Sequence, residues 1–217
     1  MATERAATAR LLPSRLYAIC DVDALAAARW EPLAFLDACL DAGATLFQLR
    51  AKSLDAGAFA ALTRQALARA GSAATILVND RVDVALVTGA PGVHLGQDDL
   101  SPDAARAQLG TGALVGLSTH TTAQLRAAAA QPVSYVAVGP VFGTVTKDTG
   151  YEPVGTALVA EARAIIGDRL PLVAIGGITP DRAADVVRAG ADAVAVIGGL
   201  IGPDPGALVQ CYLDRLQ

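Results

Sequence analysis

Short apolar runs recur along the whole chain, and they are nearly continuous rather than alternating with polar residues. Eight can be recognised, namely Leu16–Cys20, Thr45–Leu49, Ala74–Val78, Gly92–Leu95, Leu114–Leu117, Tyr135–Val138, Leu172–Ile175 and Ala193–Ile197. Continuous runs of this length are typical of parallel strands that are buried on both faces. The stretches between them place apolar residues three and four positions apart, as at Phe35, Cys39 and Leu40, which predicts amphipathic helices.

Helix-capping and helix-terminating residues predict where these helices begin and end. Ser101-Pro102 and Thr179-Pro180 each combine a capping hydroxyl with a first-turn proline. Glycines stand where helices are expected to stop, at Gly43, Gly71, Gly89, Gly110, Gly167 and Gly190. The segment between Val78 and Gly92 leaves room for a two-turn helix only, which makes it the shortest unit.

Eight strands that alternate with eight helices predict an α/β protein with a (β/α)₈ barrel fold rather than a doubly wound sheet. With 217 residues and no linker, the chain is expected to form a single domain over residues 15–217. Residues 1–14 lack an apolar core of their own, and we predict that they form a disordered tail.

Composition narrows the classes of partner. The formal net charge is −4 and cations are scattered, which argues against nucleic acid and anionic membranes as partners. No stretch reaches the roughly 18 apolar residues that a spanning helix needs. Cys20, Cys39 and Cys211 lack CxxC spacing, which predicts a reducing, cytoplasmic location and no zinc site. Small molecules are the expected partners, and homo-oligomerisation stays open.

Polar residues follow the predicted strands where barrel enzymes place their chemistry. The second strand and the residues that follow it supply Gln48, Arg50 and Lys52 at alternate positions, so that all three point the same way, as a diphosphate site would require. Asp80, which follows Asn79 on the third strand, and Asp99, beyond the fourth, could share Mg²⁺ with phosphate oxygens. Asp98 competes with Asp99 for this role, or caps the next helix instead.

The later strands contribute hydroxyl groups, a cation and glycine turns. Ser118 is expected to donate a hydrogen bond into the barrel mouth, whereas His120 has no obvious nucleophile to activate and is interpreted as structural. Beyond the sixth strand, the Thr144–Lys147 loop presents two hydroxyls and an ammonium group. The turns at Gly176-Gly177 and Gly198-Gly199 would let a phosphate approach backbone N–H groups.

In this order along the chain, the motifs resemble those of the thiamine-phosphate synthase family. The matching segments are Gln48–Lys52, Asn79–Arg81, Gly92–Leu100, Gly116–Thr121, Val138–Phe142, Thr144–Lys147 and Ala174–Ile178. The resemblance implies a (β/α)₈ barrel transferase that joins 4-amino-2-methyl-5-hydroxymethylpyrimidine diphosphate to a thiazole phosphate. It implies that thiamine phosphate and diphosphate are the products and that Mg²⁺ is the cofactor.

The resemblance also implies roles for individual residues. The pyrimidine diphosphate would be bound by Gln48, Arg50, Lys52, Asn79, Ser118 and Lys147, of which Lys147, Arg50 and Ser118 are the catalytic candidates. Asp80 and Asp99 would hold Mg²⁺, and the thiazole phosphate would be bound by Thr144, Val145, Thr146, Gly177, Ile197 and Gly198. Two departures from the family pattern, Gly198 in place of serine and Gly143 in place of proline, are expected to reduce affinity without abolishing the chemistry.

Three alternative functions share the same barrel. A thiazole tautomerase would carry histidine after the sixth-strand glycine, where this chain has Pro140. A non-catalytic ligand-binding regulator would be expected to lose the metal carboxylates or the cations after the second strand, and this chain has both. Another phosphate-binding barrel isomerase would be supported equally by the two glycine turns alone.

Overall fold

The computed structural model of the chain describes residues 12–143, 153 and 155–217. Its eight strands are parallel and form a closed barrel in the order of the sequence. They are β1 Leu16–Asp21, β2 Leu46–Arg50, β3 Thr75–Asn79, β4 Gly92–Leu95, β5 Leu114–Thr119, β6 Tyr135–Val138, β7 Leu172–Ile175 and β8 Ala193–Val196. The predicted (β/α)₈ fold is confirmed.

Helices cover the outside of the barrel. In the described residues they are α1 Val22–Ala27, α2 Pro32–Asp41, α3 Ala56–Ala70, α4 Val82–Thr88, α5 Pro102–Leu109, α6 Thr122–Ala128, α7 Gly155–Ile166, α8 Pro180–Arg188 and α9 Pro205–Arg215. A 3₁₀ turn, Gly198–Leu200, precedes α9. The short α1 is additional to the one helix per strand that the pattern predicts. It forms because the Asp21 side chain accepts hydrogen bonds from the Asp23 and Ala24 N–H groups.

Most of the predicted helix boundaries are confirmed. All six glycines expected at helix ends have positive φ, a conformation that disfavours side chains. The Ser101 hydroxyl caps α5 by accepting from the Ala104 N–H at 3.3 Å. Thr179 occupies the N-cap position of α8, but its side chain forms no capping bond. The shortest unit contains the seven-residue α4, as the spacing predicts.

Two layers of apolar side chains hold the barrel together. The larger layer lies between the strands and the surrounding helices. The smaller one fills the barrel interior with alternate strand residues, among them Tyr17, Ile19, Leu77, Tyr135 and Val173. Because strand side chains alternate between faces, most strands supply apolar side chains to both layers, which explains their continuous apolar sequences. In the described part of the chain, no helix is long and apolar enough to cross a bilayer.

The barrel interior is closed at its lower end by the chain that precedes β1. Leu12 is buried in the interior layer, the Thr45 hydroxyl donates to the Pro13 carbonyl, and the Ser14 hydroxyl accepts from the Leu16 N–H. The packed structure therefore includes residues 12–14, which we expected to belong to a disordered tail. The rest of that prediction, for residues 1–11, lies outside the described residues.

Candidate active site

A cavity of about 300 Å³ opens where the strands end at their carboxyl termini, and all eight strands contribute to its lining. It brings together most of the residues predicted from the sequence, namely Gln48, Arg50, Lys52, Asn79, Asp80, Asp98, Asp99, Ser118, His120 and Ile197. Gly177 and Gly198 are not part of the lining, but Gly177 lies two residues after Ile175 and Gly198 directly follows Ile197, both of which are. The predicted Thr144, Val145, Thr146 and Lys147 lie outside the described residues.

The guanidinium group of Arg50 is held in place by a carboxylate from the neighbouring strand. Arg50 ends β2 and Asp21 ends β1, and the two residues are paired in the parallel register. Arg50 Nη1 lies 2.5 Å from Asp21 Oδ2, and the Asp21 side chain is only 5% exposed. Since Asp21 also caps α1, one buried carboxylate fixes a helix start and orients a cation of the cavity.

Asp80 and Asp99 form a pair of carboxyl groups within hydrogen-bonding reach of each other. Burial raises the pKa of the Asp99 carboxyl above its ordinary value, and the adjacent Asp80 raises this pKa further. Asp99 also accepts a hydrogen bond from the Gly96 N–H at 2.7 Å. The alternative role of Asp98 as a helix cap is wrong, because Ser101 caps α5.

Asp80 has an unusual backbone conformation and a carboxylate whose hydrogen bonding is incomplete. Its φ of 60° lies in the left-handed region, which non-glycine residues rarely adopt outside turns and functional sites. Its Oδ2 atom is buried without a hydrogen bond of normal geometry, although the Lys52 ammonium group is in ion-pair contact with it. A buried, underbonded carboxylate beside a second carboxyl group is a donor set that suits Mg²⁺ completed by phosphate oxygens and water.

A row of hydrogen-bonded side chains crosses the bottom of the cavity; we refer to Gln48, Tyr17, Tyr135, His94 and Ser118 as the floor chain. Gln48 Nε2 donates to Tyr17 Oη at 3.0 Å, and the two phenol oxygens are 3.0 Å apart. His94 Nδ1 lies 2.8 Å from Tyr135 Oη, and its Nε2 lies 2.8 Å from Ser118 Oγ. The predicted binding residues Gln48 and Ser118 are thus linked across the barrel.

Glycine turns border the other side of the cavity. Gly176 and Gly177 follow β7 with φ of 108° and 57°, and a Cβ on Gly177 would lie 2.3 Å from the Gly143 carbonyl oxygen. The 3₁₀ turn that begins at Gly198 follows β8. The first N–H groups of such a turn have no partner within it, so they are available to an anion.

His120 lines the cavity but is also tied to the backbone. Its Nδ1 lies 2.7 Å from the Gly139 carbonyl oxygen, and its backbone N–H donates to Gln124 Oε1. The first bond connects the end of β5 with the end of β6, and the second connects it with α6, which agrees with the structural role interpreted from the sequence.

Sequence reasoning missed Asp21 and three members of the floor chain. Tyr17 and Tyr135 have the appearance of ordinary apolar strand residues, and His94 lies within the matching segment Gly92–Leu100, for which the resemblance implies no role of this histidine. Asp21 could have been recognised, because it is the first polar residue after the β1 run, at the barrel end where Arg50 follows β2.

Two cations and an underbonded carboxylate at the mouth of a (β/α)₈ barrel, next to two glycine turns, are typical of enzymes that bind phosphate esters. The family model described as thiamine monophosphate synthase matches residues 16–200. The chain belongs to this family. The predicted family, synthase function and transferase class are confirmed.

Named relatives agree with this assignment. The chain is 46% identical to the thiamine-phosphate synthase of Anaeromyxobacter dehalogenans over 82% of its own length and 79% of that protein. It is 45% identical to the thiamine biosynthesis bifunctional protein ThiM/ThiE of Symbiobacterium thermophilum over 84% of its length, but it spans only 38% of that longer protein. Its structure resembles thiamine phosphate pyrophosphorylase from Pyrococcus furiosus, with a TM-score of 0.83, 26% identity, and coverage of 93% and 95% of the two chains.

Proposed function

We propose that the cavity binds 4-amino-2-methyl-5-hydroxymethylpyrimidine diphosphate and couples it to a thiazole phosphate, so that thiamine phosphate forms and diphosphate leaves. The observation that carries this proposal is the division of the cavity into two ends. Arg50, Lys52 and the Asp80–Asp99 pair line its charged rim, while Gln48 and Ser118 line its buried floor. A molecule with a polar ring and a diphosphate has the same division.

The diphosphate end supplies charge compensation. Arg50 keeps guanidinium donors beyond its bond to Asp21, and the 55% exposed Lys52 side chain can follow a phosphate oxygen. Asn79 is buried at the same rim and offers an amide. Family resemblance adds Lys147 to this set. Mg²⁺ held by Asp80 and Asp99 would supply further electrostatic neutralisation of the leaving diphosphate.

The reaction that these residues favour is a dissociative substitution. The bond between the methylene carbon of the pyrimidine and the diphosphate oxygen breaks, and its electron pair leaves with the diphosphate. Arg50 and Lys52 stabilise the developing negative charge, while the aminopyrimidine ring delocalises the positive charge on the carbon. The lone pair of the thiazole nitrogen then forms the new bond to carbon. This nitrogen has no proton to lose, so no general base is needed.

The thiazole phosphate is assigned to the other side of the cavity. We propose that Thr144, Val145 and Thr146 contact it together with Gly177 and the Ile197-Gly198 turn. The positions of Gly177 after β7 and of the 3₁₀ turn at Gly198 after β8 support this assignment, since the cavity opens at this end of the strands. We further propose that the enzyme acts in the cytoplasm, where its free Cys20, Cys39 and Cys211 would stay reduced.

The test is coupling of the two substrates by the purified protein, with thiamine phosphate measured by chromatography. We expect product with Mg²⁺ and almost none after exhaustive chelation, with activity restored when Mg²⁺ is added back. Undiminished product in the chelated sample would disprove the metal role, and a folded protein without coupling activity would disprove the function.

A pair of arginine variants tests the diphosphate end. Arg50→Ala is expected to lower turnover by about 10²-fold, because it removes a preorganised cation from the leaving group. Arg69→Ala is the matched control, since Arg69 is a 40% exposed cation in an ion pair with Asp37 on the helical layer outside the cavity. Equal activities of the two variants would contradict the role of Arg50.

A further inference from the structure

The ring of Tyr135 in the floor chain occupies space that is free because residue 116 is a glycine. In the parallel register, His94 pairs with Gly116 and Gly116 with Tyr135, so the three residues lie side by side. A Cβ on Gly116 would lie 2.0 Å from Tyr135 Cζ, which only glycine avoids. The rings of His94 and Tyr135 stack with their centroids 5.6 Å apart. The phenol is therefore fixed against the imidazole by packing as well as by hydrogen bonding.

The hydrogen atoms available in the floor chain restrict the direction in which its hydrogen bonds can donate. Burial raises the pKa of Tyr17 to about 12 and the pKa of Tyr135 well above its ordinary value, so both phenols keep their protons at neutral pH. Gln48 Nε2 already donates to the Tyr17 oxygen. Tyr17 can then donate to Tyr135, Tyr135 to His94 Nδ1, and His94 Nε2–H to Ser118. In this order the Ser118 hydrogen remains for the cavity.

Donation in the opposite direction, from Ser118 towards Tyr17, fits the orientation of Gln48 less well. Ser118 would then donate to His94, His94 Nδ1–H to Tyr135, and Tyr135 to Tyr17. With Gln48 in its present orientation the Tyr17 oxygen would accept two hydrogen bonds, and the Tyr17 hydrogen would find an acceptor in the floor chain only if the Gln48 amide turned over to present its oxygen. Only the first order continues the donation from Gln48 to Tyr17 head to tail as far as Ser118, so that each bond polarises the next one.

We propose that the floor chain fixes the Ser118 hydroxyl as a hydrogen-bond donor to the substrate ring, with His94 as a positioning residue in its Nε2–H tautomer. At the other end, Gln48 uses its amide nitrogen on Tyr17 and therefore turns its amide oxygen to the ligand. The two ends select a ring edge with a donor opposite Gln48 and an acceptor opposite Ser118. A 4-aminopyrimidine has such an edge, whereas its 4-oxo analogue reverses the pattern. This inference rests on the proposed function.

The tautomer can be measured in the unmodified protein. The chain has only two histidines, so ¹⁵N-detected ring correlations are simple, and the spectrum of His94→Gln assigns them. We expect His94 to carry its hydrogen on Nε2 and to show an unprotonated Nδ1 at neutral pH. A His94 signal from the Nδ1–H tautomer would overturn the proposed direction of the floor chain.

A double-mutant cycle tests whether Tyr135 acts through Ser118. Affinity for the pyrimidine diphosphate is measured for Tyr135→Phe, Ser118→Ala and the double variant. Each single change is expected to weaken binding about tenfold, as loss of one oriented hydrogen bond would. If the two act as one unit, the double variant also loses about tenfold, whereas independent effects would give about a hundredfold loss.

The control variant is Thr119→Val, which removes the buried hydroxyl of the next residue on β5. That hydroxyl donates to the Ala137 carbonyl rather than to the floor chain. We expect unchanged affinity for Thr119→Val, and we expect preference for the 4-amino over the 4-oxo ring to fall in Tyr135→Phe and Ser118→Ala but not in Thr119→Val. Absence of pyrimidine diphosphate binding in the unmodified protein would disprove the proposed function. Normal binding with an additive cycle would disprove this inference alone.

Discussion

The carboxyl group of Asp99 makes the stability of the metal-free protein dependent on pH. Its pKa is raised in the folded state by burial and by Asp80, so the folded protein retains this proton where the unfolded chain has released it. Stability from this group is therefore present at acidic pH and is lost as the pH rises through the folded-state pKa. Above that pKa, the ionised Asp99 opposes folding until a cation binds.

Asp99→Asn should therefore stabilise the metal-free protein. An asparagine oxygen can still accept the Gly96 N–H bond, while the repulsion with Asp80 disappears. In chelator at pH 7 we expect a higher melting temperature for Asp99→Asn than for the parent, and a difference that shrinks as the pH is lowered. Thermal melts between pH 4 and 8 measure this effect. A variant that is less stable than the parent at pH 7 would show that the carboxylate pair is not under strain.

Asp21 gives a second prediction, because it holds Arg50 with one oxygen and caps α1 with the other. Asp21→Asn keeps an oxygen for the cap but leaves the guanidinium without its buried partner. We expect the free energy of unfolding to fall by about 3 kcal/mol, which corresponds to a decrease of roughly 6–12 °C in melting temperature. Asp55→Asn is the control, since Asp55 caps α3 from an exposed position. Equal melting temperatures for the two variants would exclude a structural role for the ion pair.

At the residue scale, the sequence located the charged rim because parallel strands all end at the same face of the barrel. It could not locate the floor chain, because strands buried on both faces read as continuous apolar runs. Such a run does not reveal that Tyr17 and Tyr135 point into the interior rather than toward the helices. The Arg50–Asp21 bond likewise depends on the register between β1 and β2, which the sequence leaves undetermined.

Among the secondary-structure elements, the 3₁₀ turn after β8 is the one whose sequence departs from the family pattern. Gly198 is its first residue and does not have positive φ, so a serine can adopt this backbone conformation. Gly198→Ser would add a hydroxyl donor next to the proposed phosphate site.

We expect Gly198→Ser to lower the Michaelis constant for the thiazole phosphate about tenfold, the effect of one donor to a charged group. The constant for the pyrimidine diphosphate should not change. Gly112→Ser serves as the control, because Gly112 has open space around its Cβ position and lies in the loop before β5. A change confined to the pyrimidine constant would show that the two substrates have been assigned to the wrong sides.

The number of strands was predictable from sequence, but α1 was not. Its six residues are too few for apolar periodicity to reveal a helix. The capping bonds of Asp21 determine it instead, and these require the backbone of residues 21–24 to be already turned. The role of Gly116 was not predictable either. The sequence does not show that a side chain at this position would clash with the phenol ring of Tyr135.

For the molecule as a whole, ligand binding at the cavity should appear as thermal stabilisation. Inorganic diphosphate and Mg²⁺ together are expected to stabilise the fold by about 2.7 kcal/mol at a hundred times the dissociation constant. That corresponds to a melting temperature increase of roughly 5–11 °C for a domain of this size. Diphosphate alone should give much less, because the carboxylates repel an anion that lacks a cation.

Differential scanning fluorimetry of the parent and Asp80→Asn measures this synergy. Asp80→Asn should lose the combined increment but keep the small effect of diphosphate on Arg50 and Lys52. An unchanged combined increment in Asp80→Asn would place the cation elsewhere.

The bond from Arg15 Nη1 to the Leu216 carbonyl oxygen, 3.3 Å long, ties the start of β1 to the end of α9 on the face opposite the cavity. Because the start of β1 and the end of α9 are adjacent, the barrel does not require its eight strand–helix units to begin with β1 along the chain. A circular permutant that joins residue 216 to residue 12 through a short linker, and is reopened between Gly110 and Gly112 on the same face, should rebuild the same barrel. Its new ends would leave the mouth open to both substrates.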